Sequence, residues 1–412
     1  MVKRNVSSHD EWLLVRCTDN NNPQELNPGS FNKRRNRTDT LSSAPIQLKH
    51  ERKKKRHVTT ALVVNPTSAG GSTGKVWDTQ FTEIRKIFGQ DPEIVFTEKS
   101  GDGTSLTRDL LKRGYQRIVA IGGDGTINEV ANGFFMSQEN PKEKLRKTNI
   151  INPNNFRGVR DTKSQDRGKF PASPVLVPIN QKAVMGLLPS GTRNVLAKSL
   201  DFPEDIIQCC SNFIVGKSKM IDVISATMSL PKGTEDSNKT SKPVTRIFLN
   251  AAELGVAAEI IDRSKKVRNK VKNRLVSTVT SLALTLPYYE SNLCEISVDS
   301  GRENIITKMT MCIIANGKYL GGGFKAAPRA NVSDGLLDIV ILKDSGSLKM
   351  LDDFINIKDG DYSNEPDILY RQARNVSIKS RERDVTVAID GEPIGILPAT
   401  FKVLKRALNI RM

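Results

Sequence analysis

The sequence has few of the residues on which nucleophilic and zinc-dependent chemistry usually depends. It has three histidines in 412 residues, and His9, His50 and His57 all precede the first predicted strand. A Ser-His-Asp triad or an HExxH zinc site in the folded body would need a histidine there. The five cysteines form no CxxC pair, which argues against a disulfide scaffold or a cysteine zinc site. We therefore expect chemistry based on carboxylates, lysines, hydroxyls, backbone amides or a hard cation.

Long apolar runs are also absent. No stretch of 18 apolar residues occurs, so we expect no membrane-spanning helix. The first residues, MVKRNVSSHDEW, lack the apolar segment of a secretory signal, and no such signal is predicted. Together with the few cysteines, these patterns favour a protein of the reducing cytoplasm.

Basic residues exceed acidic residues, and most of the excess lies in two segments. The formal net charge is +18. Residues 1–57 contain 13 Lys/Arg and 6 Asp/Glu without any periodicity, and are predicted to be a disordered tail. Residues 138–182 contain 10 Lys/Arg and 4 Asp/Glu and are interpreted as a polar insertion. Anionic lipid headgroups are the favoured partner, a solvated arm is the alternative, and no specific nucleic acid is expected because aromatic residues are scattered.

The body changes its pattern near residue 219. Before that point, β-rich runs alternate with helical patterns, which predicts a parallel sheet with helices on both faces. After it, β-rich runs separated by turn residues predict a mostly antiparallel domain, with helical interruptions at 256–289 and 348–354. We therefore expect a basic tail at 1–57, an α/β domain at 58–218 to which 398–412 returns, and a β-rich domain at 219–397.

Three polar loops follow predicted strands of the α/β domain. Their sequences are NPTSAGG at 65–71, GGDGT at 122–126 and PSGT at 189–192. Glycines after a strand let backbone amides approach a phosphate, and the following helix adds a favourable dipole. Because Asp124 would repel a polyphosphate, a divalent cation is expected with the nucleotide. A P-loop is rejected, since its pattern requires Gly at 69 and Ser or Thr at 76.

The start of the helix after GGDGT has its own signal. Thr126 and Glu129 have the T-x-x-E spacing of a capping box, in which each side chain bonds to a backbone amide at the helix start. We therefore predict that this helix begins at Thr126.

Taken together, these motifs resemble those of the diacylglycerol kinase catalytic-domain family, which includes bacterial lipid kinases and the sphingosine and ceramide kinases. The resemblance covers about residues 59–412. It rests on NPTSAGG, IGGDGTINEVANG, LLPSGTRNVLA, IANGKYLGGGF, NVSDGLLDIVIL and IDGEP. It implies a Rossmann-like N-terminal α/β domain of the NAD kinase and lipid kinase type, followed by a mostly antiparallel β-sandwich.

The resemblance also implies roles for individual residues. The general base would be Glu392 of Asp390-Gly391-Glu392, and Asp124 would act with Mg²⁺ at the ATP phosphates. A structural Mg²⁺ would be held by the Asp334 carboxylate and the backbone carbonyls of Asn331 and Leu336, and an acidic network near the metal would include Asp124 and Asp222. The implied ATP contacts are Asn65, Pro66, Thr67, Ser68, Ala69, Thr97, Gly123, Asp124, Gly125, Thr126, Ile127, Asn128, Glu129 and Thr192.

Two residues depart from the family pattern. Val195 replaces an aspartate that many bacterial diacylglycerol kinases have after the proline loop, so one member of the acidic network is missing. Ala69 stands where many members have glycine, which alters the first phosphate loop.

The favoured function is transfer of the ATP γ-phosphate to a primary hydroxyl of a diacylglycerol-like or sphingoid-like lipid. The alternatives are a soluble-substrate kinase resembling NAD kinase and a non-catalytic nucleotide- or membrane-binding protein. The basic run Lys265–Arg274 and the following amphiphilic stretch are interpreted as a solvated helix face, with a membrane-facing element near the cleft as the alternative. The resemblance further implies peripheral membrane association and a homodimer.

Overall fold

The computed structural model describes residues 59–89, 92–138, 170–231, 243–268, 285, 288–321 and 324–412. Residues 56–412 cluster into one compact unit. The predictions for the tail 1–57, for most of the insertion 138–182 and for most of the basic run after Lys265 lie outside the described residues.

The described part of the chain contains sixteen strands and seven α-helices, numbered here in chain order. The strands are β1 Thr60–Val64, β2 Glu93–Phe96, β3 Arg117–Gly122, β4 Phe135–Gln138, β5 Val175–Pro178, β6 Val184–Pro189, β7 Ser218–Ser229, β8 Val244–Phe248, β9 Ala251–Gly255, β10 Asn292–Val298, β11 Glu303–Ala315, β12 Leu337–Lys343, β13 Ile368–Ala373, β14 Asn375–Ser380, β15 Thr386–Ile389 and β16 Glu392–Arg411. The helices are α1 Ser72–Phe88, α2 Asp102–Lys112, α3 Asp124–Gly133, α4 Val195–Ser199, α5 Ile206–Val215, α6 Val256–Arg268 and α7 Ser347–Asp359.

The first region is a parallel sheet in the order β2-β1-β3-β6. Strands β1, β3 and β6 are buried apart from their first residue, and their alternate side chains point to opposite faces of the sheet. In β1, Ala61 and Val63 pack with side chains of α2 and α3. Leu62 and Val64 belong to a second core with side chains of α1 and α5. This arrangement confirms the predicted parallel sheet with helices on both faces.

The second region is antiparallel, as predicted. Strands β10 to β14 pair with their neighbours in the order β13-β12-β11-β10-β14, and β7, β9 and β15 add further antiparallel pairs. Inward-facing side chains of these strands, such as Ile224, Ile296 and Val387, form one core. A further core lies between β11, β12 and the helices α6 and α7.

Strand β16 joins the two regions. It runs antiparallel to β7 over most of its length and then meets β6 in parallel, with Ile410 opposite Met185. The two sheets are therefore continuous, and 14 strands belong to one hydrogen-bonded sheet. The domain bounds given above stay a prediction.

One helix differs in extent from its sequence pattern, and another is described only in part. The segment after Val256 is helical to Arg268, and most of the residues beyond it are not described. Helix α7 extends to Asp359, beyond the predicted end at Phe354. Among the described residues, no helix is long and apolar enough to cross a membrane.

Candidate active site

The GGDGT loop connects β3 to α3. Helix α3 begins at Asp124, with Gly123 as its N-cap residue and no side-chain cap, so the predicted start at Thr126 is two residues late. The predicted capping box is also wrong. Thr126 is buried and its Oγ1 accepts from Asn65 Nδ2 at 3.0 Å, while Glu129 bonds to a different loop. The tertiary contacts of both side chains replace the local cap.

The NPTSAGG loop is fastened to GGDGT. Besides its bond to Thr126, Asn65 accepts with Oδ1 from the backbone N–H of Thr67 at 3.1 Å and from its hydroxyl at 2.8 Å. The Gly123 amide donates to Ser68 Oγ at 3.3 Å. These bonds hold two phosphate-binding loops in one fixed arrangement.

The PSGT loop contacts the GGDGT loop through the backbones of two glycines. A Cβ on Gly191 would lie 2.4 Å from the Cα of Gly123, a distance that no side chain could occupy. Asn194 fixes the loop from within, because its Oδ1 accepts from the Gly191 amide at 2.9 Å. The neighbouring Thr192 is exposed.

Glu129 organises a loop that sequence reasoning missed. Its carboxylate accepts from the backbone amides of Gly101 at 2.8 Å and Gly103 at 3.0 Å. The loop before α2 is thereby drawn against α3, and Lys99 is carried to the edge of the phosphate loops. In the sequence, this contact could have been inferred from the run Glu98-Lys99-Ser100-Gly101, which follows a predicted strand.

These loops surround a polar cleft of about 350 Å³. Glu392 lines it although it lies more than 260 positions further along the chain than GGDGT, and its Oε1 is 3.6 Å from the position of a Cβ on Gly125. Of the predicted residues, Pro66, Ala69, Asp124, Ile127, Asn128 and Thr192 do not line the cleft. The lining residues are Asn65, Thr67, Ser68, Thr97, Glu98, Lys99, Ser100, Gly123, Gly125, Thr126, Glu129 and Glu392.

Asp124 and Asn128 face away from this cleft. Asp124 Oδ1 accepts from the backbone amides of Val195 at 2.7 Å and Leu196 at 3.4 Å, at the start of α4. Burial raises the pKa of Asp124, and these amide bonds oppose the rise. Asn128 Nδ2 donates to Asp390 at 2.6 Å. Both residues therefore hold neighbouring segments in place, and the role of Asp124 toward Mg²⁺ and phosphate stays a prediction.

The Asp390-Gly391-Glu392 turn divides its two carboxylates between two environments. Asp390 is directed inward and accepts from the consecutive amides of Leu249, Asn250 and Ala251 at 3.2, 3.1 and 3.0 Å. Burial raises the pKa of Asp390 to about 6, against the lowering effect of these bonds. Asp390 and Gly391 have positive φ angles of 46° and 80°, so the chain reverses and Glu392 emerges on the cleft side.

An apolar cavity of about 120 Å³ lies on the other side of this turn, in the antiparallel region. Side chains of β11, α6 and α7 supply its walls, while Arg193, Glu253 and Gly391 lie at its polar end. A smaller polar cavity, lined among others by Asp124, Arg193, Glu253, Asp390 and Gly391, adjoins the same turn. No motif in the sequence pointed to the apolar cavity. Its apolar wall residues are Ala257, Ile260, Ile261, Met311, Ile313, Leu320, Phe324, Ala326, Phe354 and Ile357.

The SDGLLD loop is held by Asp222. The buried Asp222 carboxylate accepts from the Gly335 and Arg406 amides, each at 2.6 Å. Asp334 is exposed, and its Oδ1 accepts from the Leu336 amide at 2.9 Å. No group of three or more His, Cys, Asp or Glu residues in the described part of the chain is placed to hold a metal.

One carboxylate and two carbonyls would nevertheless suit Mg²⁺, which keeps several waters when it binds to proteins. In this structure the Asn331 carbonyl accepts from the Ser333 amide at 2.8 Å, and the Mg²⁺ site at Asn331, Asp334 and Leu336 stays a prediction.

The site thus consists of glycine-rich loops at the strand ends of a parallel α/β region, next to a β-rich region with an apolar cavity. Two protein-family models match this chain. The diacylglycerol kinase catalytic domain matches residues 59–226. The YegS C-terminal NAD kinase beta sandwich-like domain matches residues 251–412. The chain belongs to the diacylglycerol kinase catalytic-domain family of lipid kinases, and the resemblance seen in its motifs is confirmed.

Individual relatives agree over most of their length. A diacylglycerol kinase of Bacillus subtilis (strain 168) is 24% identical over 356 residues, which cover 85% of this chain and 95% of the relative. One from Staphylococcus carnosus (strain TM300) is 21% identical over 349 residues, covering 85% and 93%. A crystal structure of a diacylglycerol kinase from Bacillus anthracis str. Sterne has a TM-score of 0.55 at 20% identity, covering 87% of this chain and 98% of that one. The structural likeness shows a shared fold.

Proposed function

We propose that this chain transfers the γ-phosphate of Mg²⁺-ATP to a primary hydroxyl of a membrane lipid, with Glu392 as general base. One observation carries the proposal: the Asp390-Gly391-Glu392 turn lines the polar cleft with Glu392 and the apolar cavity with Gly391. A hydroxyl at the head of an acyl chain in the cavity would thus approach the residue that faces the phosphate donor.

The cleft has the features of a phosphate site. The α3 N-terminus reaches the cleft at Gly125 and offers a backbone amide and a positive dipole end. Lys99 adds a positive charge at the same cleft. Mg²⁺ bound to ATP would neutralise part of the negative charge of the phosphates. ATP as donor also agrees with membership of this kinase family.

The proposed reaction needs one proton acceptor. Glu392 accepts the proton of the lipid hydroxyl, whose oxygen forms a bond to the γ-phosphorus. The bond between that phosphorus and the β–γ bridging oxygen breaks, and ADP leaves. Phosphoryl transfer of this kind depends on positioning and a correctly placed base.

Helix α7 is the proposed contact with the membrane. Its residues Phe354 and Ile357 line the apolar cavity, while Leu351 and Ile355 are 46% and 45% exposed. One helix thereby presents apolar side chains both to the cavity and to the outside, which suits a lipid entering from a bilayer. Peripheral membrane association, a cytoplasmic location, anionic headgroups at the basic tail and a homodimer belong to the same proposal.

The test uses the full chain with Mg²⁺, γ-labelled ATP and mixed micelles of candidate lipids. We expect label in an organic-soluble lipid, and a loss of about 10²–10⁴-fold in Glu392→Gln. Glu98→Gln is the matched control, because Glu98 lines the same cleft away from the turn. Transfer to NAD⁺ with none to any lipid would replace the proposal by the soluble-substrate function. Equal rates for Glu392→Gln and wild type would remove Glu392 as the base.

A further inference from the structure

Glu253 is a buried acid in the middle of β9, which is itself fully buried. The residue is 4% exposed, yet it lines both the apolar cavity and the adjoining polar cavity. No sequence motif indicated it, and the mechanism above does not use it.

One oxygen of this carboxyl group lacks a partner. The Gly391 backbone N–H donates to the Glu253 carboxyl group. Oε2 has no hydrogen-bond partner within the described residues. A buried polar atom in this state is unfavourable unless a ligand or water satisfies it. Its place between the two cavities makes a bound lipid headgroup the natural partner.

The surroundings determine which form of the carboxyl group is present. Burial and the neighbouring Asp390 raise the pKa of Glu253 to about 8, while Arg193 opposes the rise. Asp124 faces the group across the polar cavity, and Lys358 lies at the wall of the apolar one. At pH 7 the group is therefore neutral and carries a proton. A neutral carboxyl group has one O–H donor, and Oε2, the oxygen without a partner within the described residues, is the atom that can present it to a ligand.

We propose that Glu253 is a positioning residue, whose Oε2–H donates a hydrogen bond to an oxygen at the polar end of an uncharged acylglycerol and thereby directs its free hydroxyl toward Glu392. The proposal rests on the proposed lipid kinase function. An ester carbonyl or hydroxyl oxygen can accept this bond, whereas the ammonium group of a sphingoid base cannot. A carboxylic acid kept neutral at pH 7 as a donor is a known device of enzyme sites.

The test compares two replacements of Glu253 in the full chain. Glu253→Gln keeps an acceptor for Gly391 and an N–H donor in place of Oε2–H, whereas Glu253→Met keeps the volume without either. We expect Glu253→Met to raise the KM for an acylglycerol in mixed micelles about tenfold or more, with the KM for ATP unchanged. Glu253→Gln should stay within about threefold of wild type. Glu303→Met, on a surface acid paired with Arg371, is the control.

The pH profile separates donation from a structural role. Wild type should lose acylglycerol affinity as the pH rises through about 8, while Glu253→Gln should not. Unfolding gives a second readout. Because the folded pKa is raised, the folded state holds the proton, and stability falls as the pH rises from about 4.5 toward 8. Glu253→Gln should therefore stabilise the protein more at pH 8.5 than at pH 5.

Equilibrium binding of a fluorescent acylglycerol in the presence of ADP makes the test independent of turnover. If wild type binds this probe without phosphorylating any lipid, the kinase proposal fails while the role of Glu253 is still decided by the variants. Unchanged lipid binding in Glu253→Met, identical pH profiles for wild type and Glu253→Gln, or no binding by wild type would each overturn the role of Glu253.

Discussion

The polar cleft and the apolar cavity flank the same turn but are built in opposite ways. The cleft is formed by short loops after β1, β2 and β3, and by Glu392. The cavity is formed by side chains between Arg193 and Gly391, from strands and helices that are far apart in the chain. Short runs of consecutive residues form most of the cleft, whereas the cavity consists of residues that only the folded chain brings together.

The difference follows from the ligands that we propose for the two sites, phosphate for the cleft and an acyl chain for the cavity. Phosphate oxygens are bound by backbone amides in a fixed geometry, and only glycine permits the close approach seen between Gly123 and Gly191. An acyl chain needs only apolar surface, which many combinations of side chains provide. A phosphate site therefore leaves a motif in the sequence, and an acyl-chain site does not.

The largest effect is expected where the cleft depends on glycine. In Gly191→Ala, the new methyl group would meet the Gly123 backbone at 2.4 Å, which requires the two loops to separate. We expect a loss of about 1–3 kcal/mol of stability, and an increase of at least tenfold in the Kd for ADP. Calorimetric titration and thermal unfolding measure the two effects.

The control for this change lies on the neighbouring loop. In Gly125→Ala, the new methyl group meets Glu392 Oε1 at 3.6 Å, an ordinary contact, so the stability should be retained. Wild-type nucleotide affinity in Gly191→Ala would show that the cleft does not need the close contact between the loops.

A smaller effect is expected at helix α7, next to the apolar cavity. The double change Leu351→Asp and Ile355→Asp removes two half-exposed apolar side chains from α7. Because a fully buried Leu or Ile side chain contributes about 1.5–3 kcal/mol, we expect binding to lipid vesicles to weaken about tenfold. Vesicle sedimentation measures binding, and the Kd for ADP should not change.

Val215→Asp is the matched control for α7. Val215 is 80% exposed but ends α5 in the parallel region, away from the residues that line the apolar cavity. Equal loss of vesicle binding in both variants would show that α7 is not the contact with the membrane.

The smallest effect is expected at Ala69, where many members of the family have glycine. Ala69 has φ 54° and ψ 34°, a left-handed conformation that costs a residue with a Cβ about 1–2 kcal/mol. Ala69→Gly removes this cost but increases the freedom of the unfolded chain by about 0.4–1 kcal/mol. We expect a net gain of about 0.5 kcal/mol in urea unfolding. Ala131→Gly, within α3, should instead destabilise the protein.

The strands of the parallel region were predicted closely because each is a short β-rich run that polar loop residues follow. Strand β16 was not predicted as one element. Pro393 and Pro398 lie within it, and proline normally argues against a paired strand. Its pairing with β7 shifts register between Ile396 and Ala399 and again between Leu404 and Leu408, which accommodates these irregularities.

Individual residues of the site also show that a local sequence pattern does not identify the contact partner. Asn128 was expected to contact ATP because it lies in a conspicuous motif, but its amide reaches Asp390 of the other region. The T-x-x-E spacing was correct for a capping box, but the nearby loop at Gly101–Gly103 offered Glu129 two amides. Local spacing identifies candidates for a contact, whereas the partner depends on what the fold brings near.

The sequence by itself determined the parallel and antiparallel regions, the glycine-rich loops that follow the strands of the parallel region, and the family of the chain. These features rest on periodicity and on glycine, and both act over a few consecutive residues. Only the tertiary structure decided that Glu392 enters the cleft while Asp390 is buried, that α6 and α7 enclose an apolar cavity, and that Glu253 lies between this cavity and the smaller polar cavity. Each of these depends on contacts between distant segments, because burial and pairing are properties of the packed chain.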